Sequence, residues 1–449
     1  MHIAVLPLAR PTFDVGFARE THAEMQAALR ATGHRLSGPD ALLLDAEAAT
    51  AARDAVLGEG PDLILILQVT FTDAAFLGEL AGLTDAPLAI WAPPEPRLGG
   101  RLRLNAFCGL NLAAHALGRR GRRFSWAYGA PADVDLNALL SAPGDSAAPP
   151  LAACQASDQG YLLASALRGA RIGRIGAAPD GFDTCSYDAA ALSDLAGVEV
   201  APLTLAELFE TAQAAEPDRA SVAWLAGLDG VDQTELDRSL RLGATLTDLA
   251  GQGYDAFAIR CWPECFTEYG GAMCGPAAML GEAGTPCACE ADVYGALTQL
   301  ALRAAAEAPV FLTDLVDMDA ADNTGVLWHC GQAPPSMAGA PAAATIHTNR
   351  RMPLLLEFPL KPGRVTLARI SQAQGVPKMV LAAGEMLDRP MAFTGTSGVI
   401  RFDAPVAQVM PRLIEAGLEH HMALAYGEHR PALRGLAGAM GLPVQEMTP

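Results

Sequence analysis

The chain has 449 residues, of which 51% are hydrophobic and 18% charged, and its formal net charge at pH 7 is −19. That length exceeds one ordinary core and suggests about two to four domains, and the composition excludes a disordered chain. The acidic balance argues against nucleic acid and anionic membranes as partners and suits a soluble, cytoplasmic protein that handles a neutral or metal-bound substrate.

The N-terminus, Met1-His2-Ile3-Ala4-Val5, enters a strand-like run with no basic leader, and no span of about 20 apolar residues follows. Short apolar runs predict strands at residues 3–8, 63–68, 88–91 and 125–128, with Ala-rich helical patterns at 16–32 and 73–82 between them. A second series places strands at 171–177, 222–226, 256–260 and 310–313, with a helix at 205–216. Strands alternating with helices mean βαβ units and parallel sheet, which carries ligands at the carboxyl ends of its strands. Residues 141–146 (Ser-Ala-Pro-Gly-Asp-Ser), followed by Pro149-Pro150, read as a linker, and a second break runs from Gln332-Ala333-Pro334-Pro335 to Pro341. Beyond it the strand-like runs at 345–347, 354–358, 364–370, 379–381 and 399–402 have little helix between them, with Gly375, Gly384 and Gly395 as turn residues and a closing helix at 430–440. The reading is therefore residues 1–150, an N-terminal α/β domain; 151–335, a central α/β domain carrying the candidate metal-binding acids; and 336–449, a small C-terminal antiparallel β-domain or barrel.

Nine cysteines are present, and free, buried thiols are the expectation. Cys261-x3-Cys265 and Cys287-x-Cys289 lack the paired C-x2-C spacing of a structural zinc site. Gly173-Arg174-Ile175-Gly176-Ala177 is an incomplete dinucleotide fingerprint.

The chemistry concentrates in the second half. Glu290 and Asp314 each adjoin an apolar run, where an isolated carboxylate is costly. Glu290 lies near a helix start, where it or Asp292 could simply cap the helix. Asp314 ends a strand, which favours it over the turn-like Asp317, Asp319 and Asp322. His329 sits between apolar residues and a glycine, as a core histidine also would. His420 and His421 are adjacent, so on a strand they face opposite ways and only one is expected in a site. Carboxylates and imidazoles together hold hard or borderline divalent metals while leaving positions open.

Arg260-Cys261-Trp262-Pro263-Glu264, Cys274-Gly275, Cys289-Glu290-Ala291-Asp292-Val293-Tyr294-Gly295-Ala296, Val310-Phe311-Leu312-Thr313-Asp314, His329-Cys330-Gly331, the run from Pro362 to Ile370 and His421-Met422-Ala423-Leu424-Ala425-Tyr426-Gly427 carry a family likeness. Through them the chain resembles the L-fucose isomerase / L-arabinose isomerase superfamily, particularly its shorter fucose-isomerase-like members. Arg10-Pro11-Thr12-Phe13-Asp14 and Asn105-Ala106-Phe107-Cys108-Gly109 match more loosely. The resemblance implies two flavodoxin-like α/β domains and a C-terminal β-barrel, and a manganese-type divalent ion held by Glu290, Asp314 and His421. His329 stands where arabinose isomerases use a further histidine. The implied reaction is aldose–ketose isomerisation of an open-chain pentose, hexose or modified sugar through an enediol, with Glu290 and Asp314 as the acid/base pair. A homo-oligomer is implied too, with active sites at subunit interfaces closed by a neighbouring N-terminal domain. Candidate substrate contacts are Thr12, Phe13, Gln68, Trp91, Asn105, Cys108 and Trp262. Arg101, Arg103, Arg119, Arg120, Arg122 and Arg123 cluster either as solvated charges or as a site for an anionic, for example sulfonated, sugar. The alternative is a non-catalytic sugar-binding or regulatory protein on the same fold.

Overall fold

A computed structural model describes residues 1–141 and 148–449. Residues 142–146 of the expected linker lie outside the described residues.

The first sheet consists of β1 (His2–Leu8), β2 (Arg35–Ser37), β3 (Leu63–Gln68), β4 (Leu88–Ala92) and β5 (Phe124–Tyr128), all parallel in the order β2-β1-β3-β4-β5. β3 and β4 are buried along their whole length, as a sheet covered on both faces requires. The order is that of a flavodoxin-like unit, whose direction switches between β1 and β3. The loops leaving those two strands therefore open onto one crevice. Asp14 ends the first loop and caps the helix Val15–Ala31 by accepting from the Phe17 N–H at 3.1 Å. The three-residue edge strand β2 is too short and polar for an apolar run to reveal it.

The second sheet comprises β6 (Arg171–Ile175), β7 (Glu199–Leu203), β8 (Ala256–Ile259) and β9 (Cys287–Ala288), parallel in the order β7-β6-β8-β9. Two expectations fail here. The apolar run at 222–226 is not a strand: Ala220–Val222 is a single 3-10 turn, and Ala226 makes only an isolated bridge to Ala343. Only Val222 and Leu225 of the run are buried, and Trp224 is half exposed, so its apolar composition reflects neither a strand nor a common buried face. The edge strand is β7, whose mixed exposure hides it.

The strand expected at 310–313 exists, but it does not belong to the second sheet. It is β10 (Phe311–Asp319), and with β11 (Thr324–His329) it joins β12 (Ala343–Thr345), β13 (Leu355–Pro359), β14 (Gly363–Ser371), β15 (Lys378–Met386), β16 (Thr396–Phe402), β17 (His421–Tyr426) and β18 (Val444–Glu446). Their order is β12-β13-β16-β11-β10-β17-β14-β15-β18, with β15 also meeting β16 over Gly384–Met386. The β13–β16 and β15–β18 pairings are parallel, so a mixed sheet replaces the expected purely antiparallel barrel. Gly375 and Gly395 lie between strands, but Gly384 lies inside β15. A Cβ there would stand 2.3 Å from the Arg401 carbonyl oxygen of β16, so the close approach of the strands requires glycine.

The helix Val293–Ala306 joins the sheets. Its Val293, Ala296, Leu297 and Ala301 share one core with Ala256 and Ala258 of β8 and with Ala368, Ile370, Ala423 and Ala425 of β14 and β17. Its N-terminus is thereby fixed where the second and third sheets meet. No helix among the described residues is long and apolar enough to cross a membrane, and all nine cysteines are free.

Candidate active site

The site begins at the turn between β9 and the helix Val293–Ala306. Glu290 and Ala291 take left-handed backbone angles, with φ of 58° and 55°, a region unfavourable for residues with a Cβ. That turn swings Glu290 back over the sheet ends and leaves Asp292 as the helix cap. Asp292 Oδ1 accepts from the Gly295 N–H at 2.8 Å and from Arg369 Nη2 at 3.0 Å; Oδ2 accepts from Arg369 Nη1 at 2.5 Å. A side chain at residue 295 would collide, because a Cβ there would stand 2.5 Å from Asp292 Oδ2.

Asp292 therefore does cap the helix, and it does more. Its Oδ2 lies 2.9 Å from His421 Nδ1. As an ionised carboxylate it can only accept, so Nδ1 carries a proton and Nε2 is the nitrogen turned to the other acids. Burial opposes the charged ring, but Asp292, Asp314 and Glu290 together raise it above the ordinary imidazole range. That Nε2 faces Asp314 Oδ1 at 3.5 Å and Glu290 Oε2 at 3.8 Å. The cross-strand register does this: Asp314 of β10 pairs directly with His421 of β17.

His420 was expected to point away, but it also enters the site. It precedes the first residue of β17, so strand alternation does not govern it. Its Nε2 lies 3.0 Å from Glu290 Oε2, and its ring centroid is 3.8 Å from that of His421. Trp262 Nε1 donates to Glu290 Oε1 at 2.9 Å. Burial would raise the Glu290 carboxyl, yet His420, His421 and Trp262 together hold it down to about 2. Asp314 has no such donors, and burial raises its carboxyl above the ordinary range despite His421. Burial pushes His329 down to about 3, so its ring is neutral.

Asp314 Oδ1 and His329 Nε2 are buried and have no hydrogen-bond partner. Asp314, His329 and His421 offer ligand atoms that all lie within 4.8 Å of one another, and Glu290, His420 and His421 do the same. His329 Nδ1 accepts from the Cys330 N–H at 2.8 Å, so the neutral ring carries its proton on Nε2 and is a donor there. Asp314 Oδ1 is a buried acceptor without a partner, which is costly unless a proton or a cation reaches it. Two carboxylates with the Nε2 of His421, once it has lost its proton, form a donor set that fits a divalent ion of the manganese type. The four residues expected as ligands fall in two groups that share His421, one with Glu290 and one with Asp314 and His329. Asp317, by contrast, faces away and accepts from Arg97 at 2.5 Å and from Tyr128. Asp322 pairs with Arg389, and Asp319 accepts from turn N–H groups.

A cavity of about 100 Å³ opens beside these groups, lined in part by Glu290, Asp314, His329 and His420. Of the candidate substrate contacts, Thr12, Phe13, Asn105 and Trp262 line it. Gln68, Trp91 and Cys108 do not. Gln68 is buried and braces the loop after β3 through Thr70 O and Thr72 Oγ1 at 2.8 and 2.9 Å. Trp91 is a core residue whose Nε1 donates to Gly129 O at 2.9 Å, and Cys108 packs against β10 with its Sγ 3.6 Å from Leu315 O. Strand-end positions fill with packing residues as readily as with ligand contacts. Residues of the chain's own N-terminal domain form part of this wall. None of the six clustered arginines lines the cavity. Arg101 holds Thr12 O at 2.7 Å, Arg103 pairs with Asp14 at 2.9 Å, and Arg119 and Arg120 reach Asp183.

Sequence reading missed Arg10, Phe71, His347, Asn349 and Arg350 as cavity residues. Arg369 carried a legible signal, since an arginine inside the apolar strand β14 must find a buried carboxylate.

Asn105 is presented by an anchored loop. Its φ is 50°, and the buried Glu95 accepts from the N–H groups of Arg103, Leu104 and Asn105 at 2.6, 2.8 and 2.9 Å. Glutamine at this position would set an NH2 against at least one of those donors. Glu95→Gln is expected to destabilise the protein by about 3 kcal/mol and to raise KM as Asn105 is released. Urea unfolding and steady-state kinetics check this; a variant unchanged in both would disprove the anchor.

Two family profiles match the chain: fucose/sulfoquinovose isomerase, N-terminal domain, over residues 4–139, and L-fucose isomerase, C-terminal domain, over residues 357–448. The sulfoquinovose isomerase of Clostridium sp. (strain MSTE9) is 30% identical over 460 residues, covering 99% of this chain and 98% of that one. The sulfoquinovose isomerase of Alkalicoccus urumqiensis is 29% identical over 459 residues, covering 99% of each. That of Priestia aryabhattai is 29% identical over 437 residues, covering 95% of this chain and 94% of the relative.

Proposed function

The chain belongs to the fucose/sulfoquinovose isomerase family, and from that premise we propose that it interconverts the aldose and ketose forms of a sulfonated hexose through an enediol. Glu290, Asp314 and His421 would hold a divalent ion, Mn2+ by the donor set; His329, whose Nδ1 accepts from the Cys330 N–H, keeps its proton on Nε2 and would stand beside the ion as a donor. When bound, such an ion supplies Lewis-acid polarisation of the sugar carbonyl.

The chain's own groups would divide the proton work. Asp314 accepts no hydrogen bond from any described side chain and lines the cavity, so it is the base assigned to the proton on C2. Glu290 is pinned at both oxygens by Trp262 and His420. It is assigned the transfer of a proton between O1 and O2, with the His420 imidazole behind it. Asp292 keeps His421 in one tautomer throughout, and Phe13, Phe71 and Trp262 shield the site from water. The full-length likeness to isomerases favours this reading over a non-catalytic sugar-binding protein.

The observation that carries the proposal is the meeting of the unpartnered Asp314 Oδ1 and of Glu290 Oε2 on His421 Nε2, at 3.5 and 3.8 Å. Incubation with Mn2+ and sulfoquinovose, the 6-sulfonate counterpart of glucose, should yield the corresponding ketose by NMR. EDTA should abolish turnover and Mn2+ restore it. Absence of ketose from sulfoquinovose in the presence of Mn2+ would overturn the substrate, and full activity in EDTA would overturn the metal.

A further inference from the structure

Trp262 lies between two kinds of charge. Its N–H is on Glu290, while its ring carries two guanidinium groups: Arg10 Cζ stands 5.6 Å and Arg350 Cζ 5.5 Å from the ring centroid. Both arginines line the same cavity as Glu290 and Asp314. Arg10 is balanced by Asp73 at 2.5 Å. Arg350 is not balanced: among the described residues its guanidinium has no hydrogen-bond or ion-pair partner. Burial and the nearby charge of Arg10 both press it towards losing its proton. A cation left unpaired in a half-buried cavity of an acidic protein calls for an anion.

The turn that presents Arg350 is built in advance. His347 Nδ1 accepts from the backbone N–H groups of Asn349 and Arg350, both at 3.2 Å, and its ring packs edge-on against Phe266. Burial keeps that imidazole neutral, down to about 3, as an acceptor must be. Arg101 Nε then holds Asn349 Oδ1 at 3.1 Å and ties the turn to the N-terminal domain.

We propose that Arg350, backed by Arg10, is the subsite for the anionic end of the substrate, and that it selects a sulfonate. This inference rests on the isomerase reading above. The indole spaces the two ends of the sugar: C1 and C2 lie at the acids, and the terminal group lies at the arginines. With Asp73 cancelling Arg10, about one positive charge remains. That matches a sulfonate monoanion better than a phosphate, which carries about −1.5 to −2 at pH 7. Guanidinium also suits a trigonal face of oxygens through paired N–H donors.

The test compares sulfoquinovose, glucose 6-phosphate and glucose as substrates of the wild type, Arg350→Met and Arg350→Lys. In the wild type, kcat/KM should be highest for sulfoquinovose. In Arg350→Met the ratio of kcat/KM for sulfoquinovose over glucose should fall about 100-fold, mostly through KM, and Arg350→Lys should recover part of it. Equal losses on both sugars mean a structural role, and an unmoved ratio means the sulfonate lies elsewhere; either overturns the subsite. A preference for glucose 6-phosphate overturns the choice of sulfonate. Should the wild type turn over no sulfonated sugar, the isomerase reading fails separately. Calorimetric titration with ethanesulfonate then decides the subsite: binding lost in Arg350→Met upholds it, and no binding to the wild type overturns it.

Discussion

Asp314→Asn should lower kcat by about a thousandfold or more while leaving the fold intact. Removing a general base costs typically 10²–10⁴ in rate, and in the proposed mechanism the same carboxylate is also a ligand of the ion. The substitution conserves shape, so no cavity forms. Stability without metal should not fall. Burial raises the Asp314 carboxyl above its unfolded value, so the ionised group costs stability at neutral pH, and that cost grows as pH rises through the folded value. Asparagine removes both that cost and the repulsion from Glu290. In EDTA the variant should therefore unfold at the same urea concentration as the wild type or a higher one. Added Mn2+ should stabilise the wild type and not the variant. Activity within tenfold of wild type would remove Asp314 from the chemistry.

Asp292→Asn should have the largest effect on stability, although Asp292 need not touch the sugar. Asparagine still caps the helix Val293–Ala306. It cannot balance Arg369, which is fully buried and among the described residues otherwise has only Glu419, at 4.0 Å, as an ionic partner. Breaking a buried pair from one side costs about 3–5 kcal/mol. It also loosens the tautomer of His421, which should weaken Mn2+ binding about 10–100-fold. The urea midpoint and a metal titration read the two effects separately. Adding Arg369→Met should recover much of the lost stability but none of the metal affinity, because the methionine removes only the unpaired charge. A single variant destabilised by less than about 1 kcal/mol would show that Arg369 does not depend on Asp292.

Local patterns carried much of this protein. The continuous apolar runs of β1, β3 and β4 could only be buried strands, and helices between them dictated parallel units. Glu290, Asp314 and the paired histidines stood out because carboxylates and imidazoles beside apolar runs need partners. Sequence did not assign β10 to the third sheet, since an apolar strand packs equally well at the edge of either sheet. It also left His420 outside the site, because alternation applies only within a strand and His420 precedes β17.

By itself, then, the sequence determined which segments are buried, which residues are chemically out of place there, and the series of α/β units. The tertiary structure alone decided what those residues face. The register of β10 against β17 sets Asp314 beside His421, and the left-handed turn at Glu290 brings that acid to the same point. The fold also brings Arg10 and Arg350 to one indole ring across most of the chain. Periodicity records burial one residue at a time, whereas strand register and backbone handedness are fixed only when distant segments pack.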